Sequence, residues 1–141
     1  MPALQLLIIL AGLRLLSVLA ASAAAPRVLN WRDELALLQP LSRQLVWVHG
    51  VFIVLVIMGF AAVSLLNSAA LINGSMLARS VCALMAGFWA VRRLMGLVVF
   101  DTSAVLTTPA RRLGYAMLNF VIVFHVTVYG YATFAAAKGG V

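Results

Sequence analysis

A chain of 141 residues that is 65% hydrophobic, with a mean hydropathy of +1.13, has too little polar surface to enclose a soluble core, and its length allows one domain. The net charge of +7 comes from ten basic residues against three acids, but the basic residues are dispersed among apolar stretches and loops, which argues against a nucleic-acid partner and for attraction to anionic lipid. The single cysteine, Cys82, excludes an internal disulfide, and no spacing of Cys, His, Asp and Glu suits a zinc or iron–sulfur site.

A hydrocarbon layer needs about 20 apolar residues per helix, and four such windows fit without overlap at residues 3–25, 43–67, 76–100 and 111–136. The expected fold is all-α, a four-transmembrane-helix bundle that makes residues 1–141 a single domain. The first window ends in Ala21-Ser-Ala-Ala-Ala-Pro26, which resembles a signal-peptidase site. A signal peptide carries its positive charge ahead of the apolar region, whereas here the first basic residue is Arg14, in the middle, so the window is read as a retained helix. Next come Asn30 and the segment 31–39, closed by Pro40. Asn30 can cap a short helix and Asp33 can answer it, and Trp31, Leu35 and Leu38 share one face, as in a helix lying at the membrane surface. Ser42 is placed to cap the second long helix, Ser75 to start the third after the turn Asn73-Gly74, and Thr108-Pro109 to start the fourth.

Inside the windows lie Arg14, Arg92, Arg93, His49 and His125, whereas the acids Asp33, Glu34 and Asp101 fall between them or at their ends. A charge at membrane depth costs about 2.5 to 3.5 kcal/mol on insertion scales, so such residues face a bundle interior, a cavity or a ligand. Helical angles put Ser42, His49, Phe60, Ser64 and Asn67 on one face of the second helix. Tyr115, Asn119, His125, Tyr129 and Thr133 fall within roughly 120° on the fourth. Arg92 and Arg93 point about 100° apart, Arg93 with Trp89 and Arg92 with Gly96, so they cannot both fill one narrow stripe. By helical rise, His49, Arg92 and Arg93 lie about 9 to 12 Å from the cytoplasmic ends of their helices, level with Asn119, with Arg14 and His125 deeper.

These positions lead to an expected pocket that opens to the cytoplasm within the membrane. Arg14, Arg92, Arg93, Asn119, Tyr115, Tyr129 and Trp89 would bind an anionic or carbonyl-bearing ligand there, such as a lipid phosphate, a carboxylate or a quinone head group. Were the chain an enzyme, His49 and His125 would do its acid–base work and the arginines would stabilise charge. Neither a metal nor a cofactor is expected, and no serine-, cysteine- or carboxylate-based catalytic constellation is present in the pattern. Two alternatives stand beside this. One is a non-catalytic accessory subunit, whose arginines meet acids on a partner membrane protein or a second copy. The other is a haem b protein with His49 and His125 as axial ligands, against which stands a depth difference of about 11 Å.

The strings Trp47-Val-His-Gly-Val-Phe-Ile-Val-Leu55, Phe88-Trp-Ala-Val-Arg-Arg93 ahead of Phe100-Asp101, and Thr127-Val-Tyr-Gly-Tyr-Ala132 resemble a family of small four-helix bacterial membrane proteins. The resemblance spans most of the chain and implies the fold and a bacterial inner membrane, but no activity. Size and basic helices are also similar to the trimeric glutathione-using membrane enzymes. Their Arg-rich Asn…Glu signature in the second helix is absent here, where that helix has no acid, so their activity is not carried over.

Arg27, Arg32, Arg43, Arg111 and Arg112 share one side of the four windows, against Arg79 and Lys138 on the other. The positive-inside rule then places both termini outside the cytoplasm. Reporter fusions at both ends should be active only as periplasmic reporters; a cytoplasmic carboxyl terminus would contradict this orientation.

Overall fold

The computed structural model describes residues 2–28, 30–99 and 106–138. Among them there is no strand, and the helices run in the order α1 (Pro2–Val28), α2 (Trp31–Ala36), α3 (Pro40–Leu66), α4 (Ser68–Leu71), α5 (Met76–Val98) and α6 (Pro109–Lys138). Four of them, α1, α3, α5 and α6, are long and apolar enough to cross a membrane, which suggests a multi-pass membrane protein.

Local chemistry sets most of the boundaries. The Ser75 hydroxyl accepts from the Ala78 N–H and starts α5. Thr108 does the same for Arg111, ahead of Pro109 at the first position of α6. The start of α3 differs from expectation: Pro40 is its first residue, with Gln39 at the cap, so Ser42 lies already inside the helix and caps nothing. Proline fixes φ and lacks an N–H, which suits the first turn, so the residue expected to stop the short helix also starts the next. As a result α2 ends at Ala36, short of Gln39. Asn30 precedes it in the left-handed conformation, φ 51°, and bonds the Asp33 carboxylate through its side chain, at 2.7 Å, without capping the backbone. Trp31 and Leu35 are half-buried, Leu38 is exposed, and Trp31 meets Trp47 of α3 edge to face at 6.1 Å. The one-turn helix α4, set off from α3 at Asn67, has no counterpart in the sequence reading. Asp101 lies outside the described residues.

α1 packs against α3 on one side and α6 on the other, and α6 lies antiparallel along α5. The stripe Leu4, Ile8, Ala11, Leu15 and Val18 of α1 is buried, as are Ala78, Cys82, Met85 and Trp89 of α5 and Ile122, His125, Tyr129 and Ala132 of α6. These spacings of three and four residues bring one face of each helix inward. α3 closes on α6 through Ser64 and Tyr129, whose hydroxyls lie 2.7 Å apart, and on α5 through Phe60 and Phe88 at 5.2 Å.

α1 and α3 approach closely at Gly12. A Cβ built there meets Leu65 Cγ at 2.9 Å and Ser64 Cβ at 3.1 Å. Small residues that let backbones approach are the usual means of pairing helices that gain little from apolar burial. Gly12→Val should therefore lower stability by about 1 to 3 kcal/mol, with Gly12→Ala milder, in mixed-micelle unfolding. Unchanged stability of Gly12→Val would show that the α1–α3 seam is loose.

Candidate functional site

The central buried group is His125. Its Nδ1 lies 2.6 Å from the Val121 carbonyl oxygen of its own helix, and its Nε2 lies 3.1 Å from the Ala11 carbonyl oxygen of α1. The ring stacks on Trp89 at 5.1 Å and tilts against Tyr129 at 6.0 Å. A neutral imidazole has a single N–H and can donate to one of these carbonyls; only the cation donates to both. In either form neither ring nitrogen is turned toward open space, so His125 holds α1 to α6 and is badly placed to move a proton on a substrate.

One turn along α5 from Trp89, in the cleft between α5 and α6, is a cavity of about 120 Å³. α5 contributes Arg92, Arg93 and Gly96; α6 contributes Tyr115, Leu118, Asn119 and Ile122. Arg92 is exposed at the rim and Arg93 is half-buried. Two residues 100° apart reach the same cavity because it is a cleft at the edge of two helices and not an axial channel. Arg93 Nη1 is buried and has no hydrogen-bond partner. The Asn119 amide donates back to the Tyr115 carbonyl at 2.8 Å, which fixes that side chain along α6.

Other expected site residues lie elsewhere. Trp89 is fully buried under His125, with its Nε1 unpartnered, and does not line the cavity. Tyr129 is buried with its hydroxyl on Ser64. Arg14 lays its guanidinium over Phe124 at 4.7 Å and Phe120 at 5.4 Å, on the α1 side of α6. His49 is exposed on α3, its Nδ1 3.1 Å from the Leu45 carbonyl one turn back. It lies about 80° around the helix from Ile57, the first buried residue of α3, and beyond the packed half of that helix. The inward stripe expected on α3 therefore holds at Phe60 and Ser64 and fails at His49 and Ser42, both exposed.

The two histidines do not converge on a common site, and with both nitrogens of His125 facing carbonyls a bis-histidine haem finds no ligand pair in them. Among the described residues no group of three or more His, Cys, Asp and Glu could hold a metal ion. The cavity positions missed from the sequence, Gly96, Leu118 and Ile122, lie three residues beyond Arg93, Tyr115 and Asn119. Continuing the polar stripe through its apolar i+3 neighbours would have found them.

No protein-family model, curated protein or solved structure matches the chain.

The contrast between the histidines is testable. His125→Leu loses the hydrogen bond to α1 and the ring stack, and should cost about 1 to 2 kcal/mol in micellar unfolding. His49→Leu should stay within about 0.5 kcal/mol of the parent. Equal effects would mean that the α1–α6 link does not run through His125.

Proposed function

We propose that the chain is a four-span protein of a bacterial inner membrane, with both termini outside the cytoplasm, that binds the anionic or carbonyl-bearing head of a lipid or lipid-like molecule in the α5–α6 cavity. The observation that carries this reading is Arg93, which lines the cavity with Arg92, Tyr115 and Asn119 and whose Nη1 is buried without a hydrogen-bond partner. A buried donor on a charged group left unmade costs about 1 to 3 kcal/mol or more, and an oxyanion meets a guanidinium with two parallel hydrogen bonds. Depth supports it as well: Gly96 and Arg92 lie about 3 and 9 Å from the end of α5, its cytoplasmic end in the proposed orientation, so the cavity runs from near the head-group boundary into the hydrocarbon. The role is recognition, because His49 lies off the cavity and His125 is engaged by carbonyls, which leaves no acid–base side chain at the right place beyond Tyr115.

A second reading, an accessory subunit of a membrane complex, rests on His49, a polar group on an otherwise apolar exposed face of α3 that includes Leu45, Phe52, Ile53 and Val56. The two readings differ in what Arg93→Gln does. In the lipid-binding reading, native mass spectra of the variant should lose a co-purifying anionic lipid while folding is kept, because a neutral amide is cheaper to bury than an unpaired guanidinium. Retention of the same lipid by the variant, or loss of a protein partner without loss of lipid, would sink the cavity reading.

A further inference from the structure

We infer that the α5–α6 cavity selects a small, unsubstituted oxyanion head, a phosphate or carboxylate at the end of an alkyl chain, and turns away quinone rings and capped head groups; this rests on the lipid-binding reading above. Size is the first argument. The cavity volume is about 120 Å³, and an engineered cavity of about 150 Å³ is what benzene fills. A phosphate or carboxylate fits in the smaller space. A quinone ring with its oxygens, or a phosphate carrying choline or a sugar, is too large to be held wholly between the two helices and would protrude from the open side of the cleft.

The wall chemistry agrees. Arg92 and Arg93 present guanidinium donors, which suit an oxyanion with two or three free oxygens better than the single neutral carbonyl of a quinone. A capped phosphate diester has fewer free oxygens to offer. Leu118 and Ile122 make the remainder of the wall apolar, as required where a head group continues into an alkyl chain.

Gly96 is the residue by which the size limit can be moved. It lines the cavity, and a Cβ built on it meets nothing within 4 Å, so the first carbon of a side chain at this position enters open space. Replacing a glycine in the interior of a helix also removes a penalty of about 1 kcal/mol, which protects the fold of the variant. Gly96→Leu therefore narrows the site while leaving both arginines in place.

The experiment uses the full chain purified in a neutral maltoside detergent, with decyl phosphate, decyl phosphocholine and inorganic phosphate as probes in titration calorimetry. Decyl phosphate should bind the parent at least about ten-fold more tightly than either other probe, and should weaken about ten-fold or more in both Arg93→Gln and Gly96→Leu. Gly96→Leu should unfold no earlier than the parent, which separates occlusion from misfolding; if it misfolds, Gly96→Ala with a smaller loss of decyl phosphate binding serves instead. Equal binding of decyl phosphocholine, or undiminished binding by a folded Gly96→Leu, would overturn the size selection and leave the anionic-lipid reading intact. Equal binding of inorganic phosphate would replace the amphiphile by a free anion. Failure of every probe to bind the parent would remove the lipid-binding reading together with this one.

Discussion

The contact between α1 and α6 at Ala11 and His125 is the constraint on which the arrangement depends. The exposed side chains of the four long helices, among them Leu6, Leu13, Phe52, Leu84 and Phe120, are as apolar as the buried ones. Apolar burial therefore does little to decide which face of a helix turns inward, and in hydrocarbon it offers no driving force between helices. Close approach and a few interhelical hydrogen bonds have to decide instead. They occur in a series: Ala11 with His125, Ser64 with Tyr129, Gln5 with Ser68, and Arg79 with the Thr133 carbonyl. α1 is central because it packs tightly on α3 at Gly12 and takes the ring of His125 from α6 one residue earlier, at Ala11.

The arginines are handled in different ways, and the differences direct attention to one of them. Arg14 spreads its charge over two aromatic faces, a contact worth about 2 kcal/mol or more when desolvated. Arg79 donates to the Thr133 carbonyl of α6 and so has a hydrogen-bond partner across the α5–α6 seam. Arg112 donates to the Leu106 carbonyl just ahead of its own helix. Arg93 has its inner nitrogen buried and unpartnered beside a cavity. A site is thus distinguished from structural placement by what each guanidinium lacks, which sequence position alone does not give.

The features legible in the sequence were those fixed by short-range rules. The apolar runs gave four long helices, and Ser75 and Thr108-Pro109 mark two helix starts by capping chemistry that needs no tertiary partner. The first turn of α3 was misplaced by three residues because Pro40 serves both as a stop and as a first helical residue. The α4 turn depends on the fit of Ser68 and Leu71 against neighbours, which periodicity does not encode. At the site, helical rise groups Arg92 and Arg93 with Asn119, and the structure sets these three around one cavity with Tyr115. The grouping of His49 with them failed because equal depth on two helices says nothing about whether those helices touch at that depth. α3 leaves the packed core beyond Ile57, and nothing in its own sequence marks that departure.

The polarity of the unsatisfied groups limits what the cleft can accept. Among the described residues, the buried side-chain atoms without partners are Trp89 Nε1 and Arg93 Nη1, one turn apart on α5, and both are donors. An indole N–H cannot accept a hydrogen bond, and neither can a guanidinium, so no rotation or tautomer of these two groups would satisfy one by the other. Only Arg93 of the two lines the cleft, and an unmatched buried donor costs more when it is charged, so the demand at the cleft is that of the guanidinium. A species that meets that demand has to bring acceptor atoms and negative charge and no donors of its own. A cationic or amine-bearing molecule of the same size would add repulsion from Arg92 and Arg93 to a set of donors that is already in excess, so the charge of the cleft excludes it before its shape is tried.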